Sequence, residues 1–181
     1  MKTSVFKAAA CASVLLLHSA AAQVTGPVEY EVKAAFIHNI ARFVEWRAGF
    51  QPEKVLRLCV MGEDPFGPAI DVLKGKPIND MSWEIAQLRP GAEVLGCNVL
   101  FIAASERANL GRILAGAADF GILTVGDSED YAARGVMVNF FLERNKVRFE
   151  INDAAVHREG LNISSQLLKL ARIVKEDGGG R

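Results

Sequence analysis

Cys59 and Cys97 are the residues whose type most directly suggests chemistry, and their settings limit what that chemistry is. Zinc asks for three or four ligands, and the histidines that could help, His38 and His157, have no companion at ligand spacing. A catalytic thiol wants a basic, partly exposed setting, whereas Cys59 stands inside the apolar run "VLRLCVMG". The loop "GEDPFG" (Gly62 to Gly67) lacks G-x-G-x-x-G and the Lys-Ser/Thr of a P-loop, and Glu63 and Asp64 would repel a phosphate. Acids there suit the start of a helix. "GDSEDY" (Gly126 to Tyr131) bunches Asp127, Glu129 and Asp130, but its spacing is not that of a calcium loop, and helix capping explains it without a cation. No G-x-S-x-G elbow occurs, and Ser164 and Ser165 have no evident His and acid beside them. These absences favour a chain that is not an enzyme, with neither metal nor cofactor.

One polar set remains, "RFEIN" followed by "HREG". In a strand, Arg148 and Glu150 face one way while Val147, Phe149 and Ile151 face the other. A solvated sheet face is one account. The other is a shallow pocket in which Glu150 meets an amine and Arg158 a carboxylate or phosphate, suited to a small zwitterionic or nucleotide-like effector.

The address of the chain comes from its first residues. Met1 to Lys7 carries two lysines and no acid, Ala8 to Leu17 is apolar, and Ala20 to Ala22 supplies small residues for a cut before Gln23. That is a secretory signal over residues 1–22, too short an apolar run for a membrane span of about 20 residues. The full chain has 21 basic and 21 acidic residues; losing Lys2 and Lys7 leaves 19 against 21, a net charge of −2. Without a basic block, nucleic acid is excluded as a partner, and no second apolar segment is long enough for membrane insertion. Cys11 leaves with the signal. An even pair of cysteines in an oxidising compartment favours a structural disulfide between Cys59 and Cys97, with two buried free thiols as the alternative.

The elements that must position these residues follow from periodicity. A first helix runs from after Val28 to near Trp46, with Val32, Phe36, Ile40, Phe43 and Val44 on its apolar face and Lys33, His38, Arg42 and Glu45 mainly elsewhere. That stripe reads as core, and the helix lacks the strong cationic character of one lying on a membrane. Strands are expected at Val55–Gly62, Ser82–Leu88, Cys97–Ala103 and Phe120–Asp127, and a hairpin at Val136–Leu142 and Val147–Asn152. Helices are expected from Asp64-Pro65 to Leu73, after a Ser105 cap, over Ser128–Arg134, over Asp153–Arg158, and as a closing helix whose buried stripe is Ile163, Leu167, Leu170 and Val174. Strands alternating with helices, then a hairpin, predict an α/β fold: a three-layer sandwich with a mixed, mostly parallel sheet and a C-terminal antiparallel hairpin. One domain spans residues 23–174, and 175–181 is a disordered tail.

Six collinear stretches, "YEVKAAFIHNIARFVEW", "LRLCVMGEDPFG", "CNVLFI", "ILTVGD", "NKVRFEINDAA" and "GLNISSQLLKLARIV", resemble the YfiR family of periplasmic regulators from about Tyr30 to Val174. The resemblance implies a periplasmic, often homodimeric α/β protein that represses an inner-membrane diguanylate cyclase through its periplasmic domain, lowering cyclic di-GMP and restraining biofilm formation. It implies an outer-membrane lipoprotein as a second partner. Cys59 and Cys97 match a disulfide-bonded pair of the family, whereas a second pair has no counterpart here, which puts redox switching through that bridge in doubt. Arg47 stands where the family often has proline. The alternative function is a periplasmic small-molecule sensor acting on another membrane signalling protein.

Overall fold

The computed structural model describes residues 26–46 and 54–175. The chain begins with helix α1 (Pro27–Ala41) and a short strand β1 (Val44–Glu45). Strand β2 (Val55–Met61), a 3-10 segment (Gly67–Leu73), strands β3 (Pro77–Ile78), β4 (Met81–Leu88) and β5 (Val99–Ile102) follow. A second 3-10 segment (Ala104–Asn109) leads into α2 (Leu110–Ala117) and β6 (Leu123–Gly126). The hairpin of β7 (Val138–Glu143) and β8 (Lys146–Ile151), then α3 (Asp153–Arg158), β9 (Asn162–Ile163), α4 (Ser165–Leu168) and β10 (Arg172–Ile173) complete it.

Eight strands form one sheet in the order β10-β8-β7-β6-β5-β2-β4-β3. Its neighbours are parallel except β7 with β8 and β3 with β4. This is the mixed, mostly parallel α/β sheet that the alternation of elements predicts, with the C-terminal hairpin in place. Arg144 and Asn145 turn that hairpin with φ of 50° and 60°, the mirror-image turn that suits the twist of its strands. The central strands read as near-continuous apolar runs because both faces are covered. Along β2, Leu56, Leu58 and Val60 join the core under α1, while Cys59 and Met61 join a second core under α2. Val99 and Phe101 of β5 face α1; Leu100 and Ile102 face α2.

Three elements depart from the periodic reading. Helix α1 stops at Ala41, and Val44 and Glu45 instead pair with Ile163 and Asn162 in a separate two-stranded sheet. Its buried face is also rotated: Ala34, Ile37, Ile40 and Ala41 are inside together with Lys33 and His38, while Val32 and Phe43 are exposed. The charged and imidazole groups enter because each finds a buried partner, and a paired polar group can be buried at little cost.

The closing helix is the second departure. Only one turn, α4, forms; Leu167 is buried but Leu170 is 75% exposed, and Arg172–Ile173 becomes a strand beside β8. Pairing there lets the backbone N–H of Val174 donate to the carbonyl of Ile151 at 2.9 Å, so the outer edge of β8 is not left unpaired. Third, Ser128–Arg134 is a run of turns around the buried ring of Tyr131, and Asp130 there has a φ of 64°. Residues 1–22 and the tail beyond Lys175 lie outside the described residues.

Candidate functional site

Strand β6 ends at Gly126, and the next residue, Asp127, turns back toward the first turns of α1. Asp127 Oδ2 accepts hydrogen bonds from the Tyr30 hydroxyl at 2.8 Å and Lys33 Nζ at 2.7 Å. Lys33 also pairs with Glu29 one helical turn earlier, and its Nζ lies 4.2 Å from the centre of the Tyr30 ring. Burial, followed by the Asp127 and Glu29 carboxylates, pushes the Tyr30 phenol well above its ordinary 10.0. Lys33 is only 3% exposed, so the sheet end carries an ion pair withdrawn from water.

A second polar row crosses the outer strands. Asn139 of β7, Glu150 of β8 and Arg172 of β10 are in register. Asn139 Nδ2 donates to Glu150 Oε1 at 2.9 Å and to the Ser128 carbonyl at 3.0 Å. Arg172 clasps Glu150 Oε2 through Nε at 3.0 Å and Nη2 at 2.7 Å, and its guanidinium lies 3.8 Å from the centre of the Phe141 ring. Asn139 Oδ1 is buried and has no hydrogen-bond partner among the described residues. Both polar groups line one cavity of about 490 Å³, walled also by Glu129, Phe140 and Leu142. Strand alternation puts Asn139 and Phe141 of β7 and Arg148 and Glu150 of β8 on the sheet face opposite Val138, Phe140, Val147 and Phe149, which join the core under α1.

Glu150, the carboxylate singled out from the sequence, is therefore part of a built polar site. Arg148 is exposed beside Glu143 at 3.8 Å, and Arg158 lines a different cavity of about 290 Å³ with Gly111, Thr124, Arg134 and Glu159. The three residues are not brought together. Arg172 takes the place beside Glu150, and a helical reading of its segment conceals it; the β-branched pair Ile173-Val174 was the available sign of a strand.

At the carboxyl ends of β2 and β5, where chain order reverses and doubly wound sheets often hold ligands, hydrogen bonds tie the loops together. The Glu63 N–H donates to Ser105 Oγ at 2.9 Å, and Gln87 Nε2 donates to the Gly62 carbonyl at 2.6 Å. Ser105 thus ties two loops instead of capping a helix. Gly62 has a φ of 97°, and a Cβ there would come within 2.5 Å of Ser105 Oγ, so only glycine fits. Asp64 Oδ1 accepts from the Phe66 N–H at 2.8 Å, making a local turn before the 3-10 segment.

Cys59 and Cys97 form a disulfide with Cα atoms 5.8 Å apart, joining β2 to the residues that lead into β5. No group of three or more His, Cys, Asp or Glu among the described residues is placed to hold a metal ion. None of the described helices is long and apolar enough to cross a membrane.

These features define an α/β domain with a disulfide-stapled core and a polar cavity at one side of its sheet. The chain belongs to the YfiR/HmsC-like family, a regulatory and non-catalytic one, whose family model matches residues 30–172. No curated protein matches it. Solved structures of similar fold include a conserved domain protein from Vibrio cholerae, 12% identical with a TM-score of 0.55. Another is the ABC domain from Streptococcus pneumonia in complex with L-Trp, 7% identical with a TM-score of 0.53. Each likeness covers 81% of this chain but 60% of the other, so this chain spans less than two thirds of their length.

Proposed function

We propose that this protein is an exported, non-enzymatic regulator that binds the periplasmic domain of an inner-membrane diguanylate cyclase and holds it inactive, lowering cyclic di-GMP and restraining biofilm formation. The observation that carries this reading is the family match over residues 30–172. The disulfide and the signal-like first 22 residues support export. A homodimer as the working form and an outer-membrane lipoprotein as the antagonist belong to the same reading. The mechanism is differential affinity: the regulator binds one state of the cyclase's sensor domain more tightly and shifts the equilibrium. Moving such a switch from 99:1 to 1:99 takes about 5.5 kcal/mol of preference, within reach of an ordinary interface. Deleting the gene is expected to raise cellular cyclic di-GMP; an unchanged level overturns the proposal.

A second reading, a periplasmic sensor that passes a small-molecule signal to another membrane protein, is favoured by the unmet acceptor at Asn139 Oδ1 beside the Glu150 carboxylate. An ammonium group would serve both. Isothermal titration with amino acids, L-Trp among them, and with nucleotides tests it. Binding that Glu150→Gln weakens and Arg148→Ala leaves alone supports the cavity; Arg158→Ala tests whether the neighbouring cavity takes the anionic end. No heat with any of these compounds removes this reading.

A further inference from the structure

The second half of α1 meets the sheet through an imidazole that can accept a hydrogen bond only while it is neutral. Trp83 of β4 is 2% exposed, and its indole Nε1–H donates to His38 Nδ1 at 2.9 Å, inside the core. Accepting at Nδ1 places the ring's single proton on Nε2. A second proton would turn Nδ1 into a donor, set two N–H groups against each other, and leave the buried indole N–H with no acceptor. The charged groups that act on the ring are Lys76, from the turn leading into β3, and Arg42, one helical turn further along the chain. Both are positive, and Lys76 is held close because its carbonyl accepts from the Trp83 backbone N–H at 3.1 Å.

We propose that the His38–Trp83 contact is an acid-released latch: with a neutral imidazole it clamps the second half of α1 to β4, and protonation in mildly acidic medium lets that half of the helix loosen. Burial first, then Lys76 and Arg42, hold the pKa of His38 below its ordinary 6.5. The unfolded chain therefore takes up the proton before the folded one does. The latch's stabilisation is complete above 6.5 and is lost as pH falls through that value toward the lower pKa of the folded state. Loosening would bare Ile37, Ile40 and Ala41, all buried beside His38, and would draw on β1, which follows directly. A periplasmic setting, in which medium acidity reaches the latch, rests on the function proposed above; the latch itself does not.

The test uses the purified protein with Trp46→Phe, which leaves Trp83 as its single tryptophan. Trp83 emission is followed from about pH 8 to about pH 4.5 alongside the NMR titration of the His38 ring protons. The expected result is one transition in both signals with a midpoint below 6.5. His38→Gln keeps a side-chain acceptor that cannot be protonated in this range, and is expected to abolish the emission change. A His38 midpoint at or above 6.5, or an emission change that His38→Gln leaves in place, overturns the latch. Should His38→Gln not fold, the parent decides alone: concerted movement of the two signals supports the latch and independent movement overturns it. None of these outcomes depends on whether a cyclase responds to the gene's deletion.

Discussion

On one face of the sheet, α1 rests on a large apolar core and carries polar groups into it, Lys33 toward Asp127 and His38 toward Trp83. On the other, α2 rests on a smaller core that includes Cys59, Cys97, Met61, Leu100 and Ile113 and is closed by a covalent bond. The first face leans on partners that must be in the right charge state; the second adds a covalent bond to its apolar packing. A regulator that changes shape would be expected to change it on the α1 face. The cavity is lined both by the polar contacts of α1 and by the outer strands β7, β8 and β10.

The largest expected effect comes from breaking the pair at the end of β6. Lys33→Met leaves the Asp127 carboxylate buried without its cation, and removing one member of a buried pair costs about 3 to 5 kcal/mol. Urea denaturation checks this, and a loss under about 1 kcal/mol would mean that the α1 face does not lean on the pair. Removing the disulfide by Cys59→Ala with Cys97→Ala is expected to cost about 2 to 4 kcal/mol, with about 4 as the chain-entropy value for a separation of 38 residues. Mass spectrometry of the unreduced parent should show the two peptides linked.

Tyr30→Phe removes a hydrogen bond to the buried carboxylate and is expected to cost about 1 to 2 kcal/mol at neutral pH. It should also flatten the alkaline limb of the stability curve. The folded phenol keeps its proton where the unfolded one ionises, so the parent loses stability as pH rises past the ordinary 10.0 and the variant loses less. Equal alkaline limbs would show that Tyr30 is not the titrating group. The smallest effect is expected at the exposed pair Lys74 and Asp71, 2.7 Å apart, where Lys74→Ala should change stability by no more than about 0.5 kcal/mol. A larger loss would blur the distinction between buried and exposed charge on the α1 side.

Much of the fold is legible in the chain because the central strands announce themselves. "CNVLFIA" and "FGILTVGD" are short, mostly apolar runs with β-branched residues, the second closed by Gly-Asp, a pattern that suits a strand covered on both faces. The hairpin shows through its alternation and polar turn. The ends of elements are less legible. Val44 is as good a continuation of an apolar helical stripe as it is a strand residue, and what decides is the presence of Ile163, more than a hundred residues later, to pair with it. The candidate site divides in the same way. Glu150 stands out through its strand alternation, but Arg172 and Asn139 join it only through pairing across β10, β8 and β7, which no local pattern encodes.

By itself, the sequence determined the alternation of strands and helices, the kind of sheet they build, the even pair of cysteines and the family to which the chain belongs. Periodicity and composition act over a few neighbouring residues, so one strand of text carries them. Only the tertiary structure decided that Lys33 and His38 point inward, that the last apolar stretch becomes a sheet edge, and that Arg158 lies apart from Glu150. Each of those outcomes turns on a partner distant in the chain, and the free energy of burying a polar group depends on that partner.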